Sequence, residues 1–162
     1  MIDAGGRPAG YHALNSLRLE KGYRSWGHDI SSGDNPIEAG LGFTVAWDKP
    51  GGFTGRDALV AERARGVGRR LVQFALADPE PLLLHGEAVV RDGVCVGHLT
   101  SAAYGHTIGS SIGMGYVASP GPDTLRSWFE QGTYEIEVAG VRRSCRASLS
   151  ALYDPTSARV KR

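Results

Sequence analysis

Between Leu17 and Phe43 the chain reads LRLEKGYRSWGHDISSGDNPIEAGLGF, and this stretch holds the residue types best suited to recognising a small ligand. Arg18 stands among apolar neighbours. There it either snorkels or forms a salt bridge, or it offers a planar, two-pronged clamp to a ligand carboxylate. Trp26, between Ser25 and Gly27, either packs in a core or presents a flat face on which a heterocycle stacks. His28 adjoins Asp29, and of the five histidines it alone has a carboxylate as neighbour. The expectation for that pair is a loop His-Asp that hydrogen-bonds locally, with catalysis as the alternative; a metal site needs a third ligand at sensible spacing, and none is visible.

These residues must be positioned by elements that the sequence also indicates. Tyr11, Ala13, Leu14 and Leu17 recur at helical spacing between Pro8 and Gly22, which predicts a helix from about Gly10 to Lys21. Asn35-Pro36-Ile37-Glu38 reads as a helix start, with Asn35 as N-cap, Pro36 at the first position and Glu38 reaching back to the cap. Gly40 and Gly42 end it after one turn, and Phe43 to Trp47 is expected as a strand. Thr54 is placed to cap a second helix from Gly55 to Arg65, closed by Gly66.

From Arg69 the apolar period changes to two. Val72, Phe74 and Leu76 alternate with Gln73 and Ala75. Ala88–Val90, Asp92-Gly93 and Val94–Leu99 spell a hairpin with a type I′ turn. Ile112–Val117 reads as another strand, Pro120-Gly121-Pro122 as a loop and Leu125–Phe129 as one helical turn. Tyr134–Val138 and Val141–Leu149 flank Ala139-Gly140 in a last hairpin. The expected fold class is α+β: a short helical N-terminal segment over residues 1–66, an antiparallel β-barrel over 67–155 and a basic, frayed tail over 156–162.

Bulk properties narrow the function. The chain has 162 residues, a net charge of +1 and 41% hydrophobic content, so no general nucleic-acid surface is implied. The concentration Arg142-Arg143 with Arg146 reads as a solvated strand face. Cys95 and Cys145 lie in apolar strand patterns without a CxxC, which suggests buried thiols rather than a disulfide or metal site. No apolar run reaches about 18 residues, so no membrane span is expected, and the N-terminus lacks the features of a signal peptide. A cytoplasmic location is the default expectation. Gly113-x-Gly115-x-x-Ala118 matches a dinucleotide fingerprint by letters, but the glycines lie inside a strand pattern with Pro120 behind them, where the fingerprint needs a strand, a turn and a helix. P-loop, HExxH and nucleophile-elbow signatures are absent.

The order of the motifs resembles a known family. Arg18-Leu19-Glu20-x-Gly22, Trp26-Gly27-His28-Asp29 and Asn35-Pro36-x-Glu38-Ala39-Gly40-Leu41 resemble the aminomethyltransferase, or glycine-cleavage T-protein, family. Phe53-x-Gly55-Arg56-x-Ala58-Leu59, Gly97-His98-Leu99-Thr100-Ser101, Ile112-Gly113-x-Gly115-Tyr116-Val117 and Tyr153-Asp154-Pro155 are similar to its later motifs. The wording around Ser16–Tyr23 resembles the folate-binding C-terminal portions of dimethylglycine and sarcosine dehydrogenases. The resemblance implies a barrel of the T-protein C-terminal type, tetrahydrofolate as cofactor and one-carbon transfer as the family's chemistry. It implies FAD only in a separate domain that this chain lacks.

Carried over residue by residue, Arg18 and Trp26 become folate-site candidates, and Arg159 a candidate for the ligand's glutamate tail. The chain departs from the family in two ways. It resembles only the later part of the family's longer domain, and the carboxylate that assists folate attack falls in the earlier part, so no catalytic residue is assigned and the chain alone is expected to be inactive in transfer. Trp26 stands where the wider family has Tyr, which exchanges a phenol hydroxyl for an indole N–H. The implied partners are a folate ligand and an upstream domain or partner subunit carrying the rest of the site. The rival reading is a non-catalytic β-barrel interaction module that completes a partner's site, and dimerisation is one way to cover an exposed apolar face.

Overall fold

The computed structural model describes residues 4–121, 124 and 126–161. The expected features at the first three residues, at Pro122 and at Leu125 lie outside the described residues. Six antiparallel strands close into a barrel: β1 (Arg69–Leu76), β2 (Ala88–Arg91), β3 (Val94–Gly105), β4 (Ser110–Ala118), β5 (Tyr134–Val138) and β6 (Val141–Ser148), in the order β1-β4-β3-β2-β5-β6. β1 closes the barrel by pairing with β4 on one side and β6 on the other. Closure removes the exposed strand edges through which open sheets aggregate.

The strand period of two sorts the side chains of β1 into two cores. Val72, Phe74 and Leu76 point into the barrel, where they meet Val89, Leu99, Val117 and Ile136. Leu71 and Ala75 point outward and pack with Ile112 and Met114 beneath Leu19 of α1 (Tyr11–Glu20). The alternation in β1 therefore does not separate core from solvent, because a helix covers the outer face. Gln73, on that outer face, donates to the Leu19 carbonyl at the end of α1 and accepts from Leu152 N at 3.0 Å.

Both hairpin turns form as expected. Asp92 and Gly93 adopt φ of 49° and 85°, and Ala139 and Gly140 adopt 49° and 77°, the left-handed pair a type I′ turn requires. The glycines of the fingerprint-like run lie within β4, and a Cβ on Gly115 would stand 2.4 Å from the His98 carbonyl oxygen. The letters thus record close strand approach in a barrel wall and carry no nucleotide geometry. α3 (Arg126–Glu130) packs Phe129 into the barrel end.

The remaining differences are local. The expected strand at Phe43–Trp47 is a 3-10 turn over Gly42–Thr44. Thr44 bonds the Leu41 carbonyl through both its amide and its hydroxyl, and the Trp47 indole donates to the Gly42 carbonyl, so local bonds replace a ladder. Asn35 does cap its turn, accepting from Ile37 N and Glu38 N at 2.9 Å each. Glu38 completes no capping box; its carboxylate pairs with Arg69 at 3.2 Å. Helix α2 (Arg56–Arg65) is preceded by Gly55 at φ 85° with no side-chain cap, so Thr54 does not cap it. Cys95 is exposed and Cys145 partly buried, and both are free thiols. At the start of the tail, Lys21 Nζ reaches the Asp154 carbonyl at 2.7 Å and the Ser157 hydroxyl at 3.3 Å. No helix among the described residues is long and apolar enough to cross a membrane.

Candidate functional site

Helix α1, the turn that follows it and the middle of β3 meet at Arg18. Residues 25–30 fold into a tight turn in which His28 N, Asp29 N and Ile30 N all donate to the Ser25 carbonyl. The turn places Trp26 and His28 outside and sends Asp29 inward, where its side chain has no solvent exposure. Asp29 Oδ2 accepts from Arg18 Nη1 at 2.5 Å and from Ser25 N at 2.9 Å. Asp29 Oδ1 accepts from the Thr100 hydroxyl at 2.7 Å. Arg18 Nη2 donates to Ser101 Oγ at 2.8 Å, and its other contacts are the Tyr23 carbonyl at 3.3 Å and Asn15 Oδ1 at 3.4 Å. The buried carboxylate is thus fully matched, as a charge without solvent must be.

A bulge in β3 makes this possible. Leu99 pairs with Gly115 and Ser101 with Met114, so Thr100 is the extra residue. In a regular strand adjacent side chains leave on opposite faces. The bulge lets Thr100 and Ser101 both reach the Arg18–Asp29 pair.

Beside this cluster lies a cavity of about 760 Å³ between α1, β3 and the Leu82–His85 loop. Arg18 with its side chain 14% exposed, Asn15, Ser101 and Tyr104 give it polar donors, while Leu82, Leu84, Ala102 and Ala103 give it apolar walls. Among the described residues no acidic side chain lines it, and His12, His28, His85 and His106 stand around it. The buried Glu20 braces the far wall by accepting from Thr107 N and from Ile108 N at 3.1 Å, which fixes the turn that carries His106.

Of the residues singled out in the sequence, Arg18 faces the cavity. Trp26 is 70% exposed, which excludes the core-packing alternative, and it is not among the residues lining the cavity. Arg159 lies elsewhere, donating to the Tyr153 hydroxyl at 2.9 Å with its guanidinium over the same ring. His28 and Asp29 do not act as a pair. Sequence reasoning missed Asp29 as the partner of Arg18, and missed Thr100 and Ser101 as its supports. The only available signal was that Thr100-Ser101 belongs to the Gly97–Ser101 run that resembles a family motif, since the contacts span 71 and 83 residues.

Residues 69–154, more than half of the chain, match the glycine cleavage T-protein C-terminal barrel domain, and residues 2–49 match the GCVT N-terminal domain. The chain belongs to the glycine cleavage T-protein family and represents a C-terminal portion of it. It is 43% identical over 159 residues to 4-methylaminobutanoate oxidase (formaldehyde-forming) of Paenarthrobacter nicotinovorans, a match that covers 98% of this chain and 18% of the relative. Against mitochondrial sarcosine dehydrogenase of Homo sapiens it is 43% identical over 155 residues, covering 94% of this chain and 17% of the relative. The chain therefore spans less than a fifth of either relative. The crystal structure of glycine cleavage system aminomethyltransferase T from Bartonella henselae shares the fold with a TM-score of 0.73 at 23% identity, covering 88% of this chain and 38% of that one.

Proposed function

We propose that this chain forms one wall of a tetrahydrofolate site in a protein whose separate flavin domain takes two electrons from an N-methylated amine, and that the one-carbon unit so released is captured on folate at this site. The observation that carries the reading is the Arg18 cavity in a chain of this family. Its volume lies within the range of small-molecule sites, roughly 300–1,000 Å³. Apolar walls suit a flat heterocycle, and a lining with one guanidinium and no carboxylate suits a ligand with an acidic tail. Two relatives whose names carry an N-methyl amine, 4-methylaminobutanoate and sarcosine, support the donor class.

Tetrahydrofolate, when bound, supplies the amine nitrogen that takes up the carbon. The residues of this chain bind and orient: Arg18 and Asn15 offer donors on one side, and Leu82 and Leu84 give an apolar wall on the other. Positioning of this kind is a large part of what an enzyme does for a two-reactant step. No acidic residue lines the cavity among the described residues, so the carboxylate that assists proton removal comes from further polypeptide.

A second reading has its own support, that the chain is a module completing the site of a partner. Helix α2 buries none of its residues, and Phe43 at 83% exposure and Trp26 are large apolar groups left open, the kind of surface that marks contact with more protein. The test for both is one preparation of the chain incubated with tetrahydrofolate and an aminomethyl donor, whose carbon is already at the formaldehyde oxidation level so that transfer needs no oxidant. Retention of folate in equilibrium dialysis without turnover is expected. Formaldehyde-equivalent transfer by the isolated chain contradicts the incomplete-site reading.

A further inference from the structure

We infer that Asp29 is a positioning residue that acts through Arg18, and that the β3 bulge at Thr100 exists to lock the pair. The inference rests on the reading that Arg18 faces tetrahydrofolate. Of the five N–H groups on a guanidinium, four have protein partners here: Asn15, Tyr23, Asp29 and Ser101. One N–H on Nη2 has no partner among the described residues. Arg18 therefore recognises a single ligand oxygen and does not grip a carboxylate with both prongs. A side chain held at four points cannot swing to form the two-pronged contact without abandoning Asp29, whose carboxylate has no access to water.

Asp29 is itself held so that it cannot drift. Ser25 N fixes Oδ2 and the Thr100 hydroxyl fixes Oδ1. Thr100 is placed for this only because it is the extra residue of the bulge, and its hydroxyl lies 3.0 Å from the Met114 carbonyl as well. Bulges recur beside functional sites because they re-aim a side chain. The chain of contacts Thr100–Asp29–Arg18–Ser101 thus ends by aiming one N–H into the cavity.

The test compares the unmodified chain with Thr100→Val, which keeps the shape and loses the hydroxyl, and Thr100→Ser, which keeps the hydroxyl. Two quantities are read: tetrahydrofolate affinity by calorimetry and rotation of the Arg18 guanidinium by ¹⁵N NMR. Thr100→Val is expected to weaken folate binding about tenfold and to free the guanidinium, and Thr100→Ser to restore both to within about twofold. Unchanged affinity and rotation in Thr100→Val overturn the inference. So does equal weakening by Val and Ser with the guanidinium still held, which is a packing effect alone. If the unmodified chain binds no tetrahydrofolate, the function proposed above falls. The positioning claim is then decided by the NMR signal: rotation freed by Val and recovered by Ser upholds it, and rotation unaltered in Val overturns it.

Discussion

Removing Arg18 strands the Asp29 charge away from water, since the Asp29 side chain has no solvent exposure. Loss of the partner of a buried charge costs about 3–5 kcal/mol, so Arg18→Ala is expected to lower urea stability by that order, and a change below about 1 kcal/mol contradicts the burial described here. The two thiols offer a separate check. Burial, followed by the nearby Glu135 carboxylate, pushes the Cys145 thiol up to about 12, whereas Cys95 is exposed. A disulfide-exchange reagent at neutral pH is expected to label Cys95 in the folded chain and Cys145 only after denaturation; equal labelling rates contradict it. Asp34 supplies a pH dependence. Burial raises its pKa, but hydrogen bonds from the Ser31 hydroxyl and amide, together with Arg69, outweigh that and hold it below the ordinary value. A carboxyl depressed in the fold stabilises fully above its unfolded pKa, about 4, and that part is lost as pH falls through the lower folded value. Asp34→Asn should therefore flatten the acid limb of the stability curve below about pH 4 and leave its shape near neutrality unaltered. At this scale the sequence was only partly legible. Arg18 was visible because a cation among apolar residues must find a partner. Asp29 was visible only beside His28, since nothing local shows that the turn sends one side chain out and its neighbour in.

Elements were more legible where their signals are local. Asp92-Gly93 and Ala139-Gly140 specify their turns by backbone conformation alone, and α1 declares itself by spacing. Phe43–Trp47 misled because apolar residues at alternate positions suggest a strand, while Thr44 and Trp47 had side chains able to bond carbonyls nearby. Glu38 likewise matched a capping box but found a stronger partner in Arg69, 31 residues on. The register of β3 against β4 gives an expectation of its own. A Cβ on Gly97 would stand 1.9 Å from the Tyr116 carbonyl oxygen, so Gly97→Ala is expected to separate these strands and lose soluble, folded protein. Wild-type levels with an unshifted melting temperature contradict that register. Helix α2 behaves oppositely. With none of its residues buried, Val60→Lys should change stability by less than about 0.5 kcal/mol, and its amides should exchange faster than those of β1.

At the scale of the molecule, the change of period near Arg69 revealed the antiparallel module, whereas the closure of β1 on β6 depended on contacts that no local pattern encodes. The two layers of core, one inside the barrel and one under α1, explain why this barrel also carries a helix across its wall: the helix seals β1 and β4 and in doing so brings Arg18 to the bulge in β3. The cavity follows from that placement, and the function proposed follows from the cavity in a chain of the T-protein family. The most direct measurement is the melting temperature of the chain across a tetrahydrofolate series, with Arg18→Lys alongside, since lysine keeps a charge beside Asp29 but has no planar fork. The account predicts a midpoint that rises with the logarithm of ligand concentration and a rise largely lost in Arg18→Lys. A midpoint unmoved at millimolar tetrahydrofolate, or an equal rise in both proteins, contradicts it.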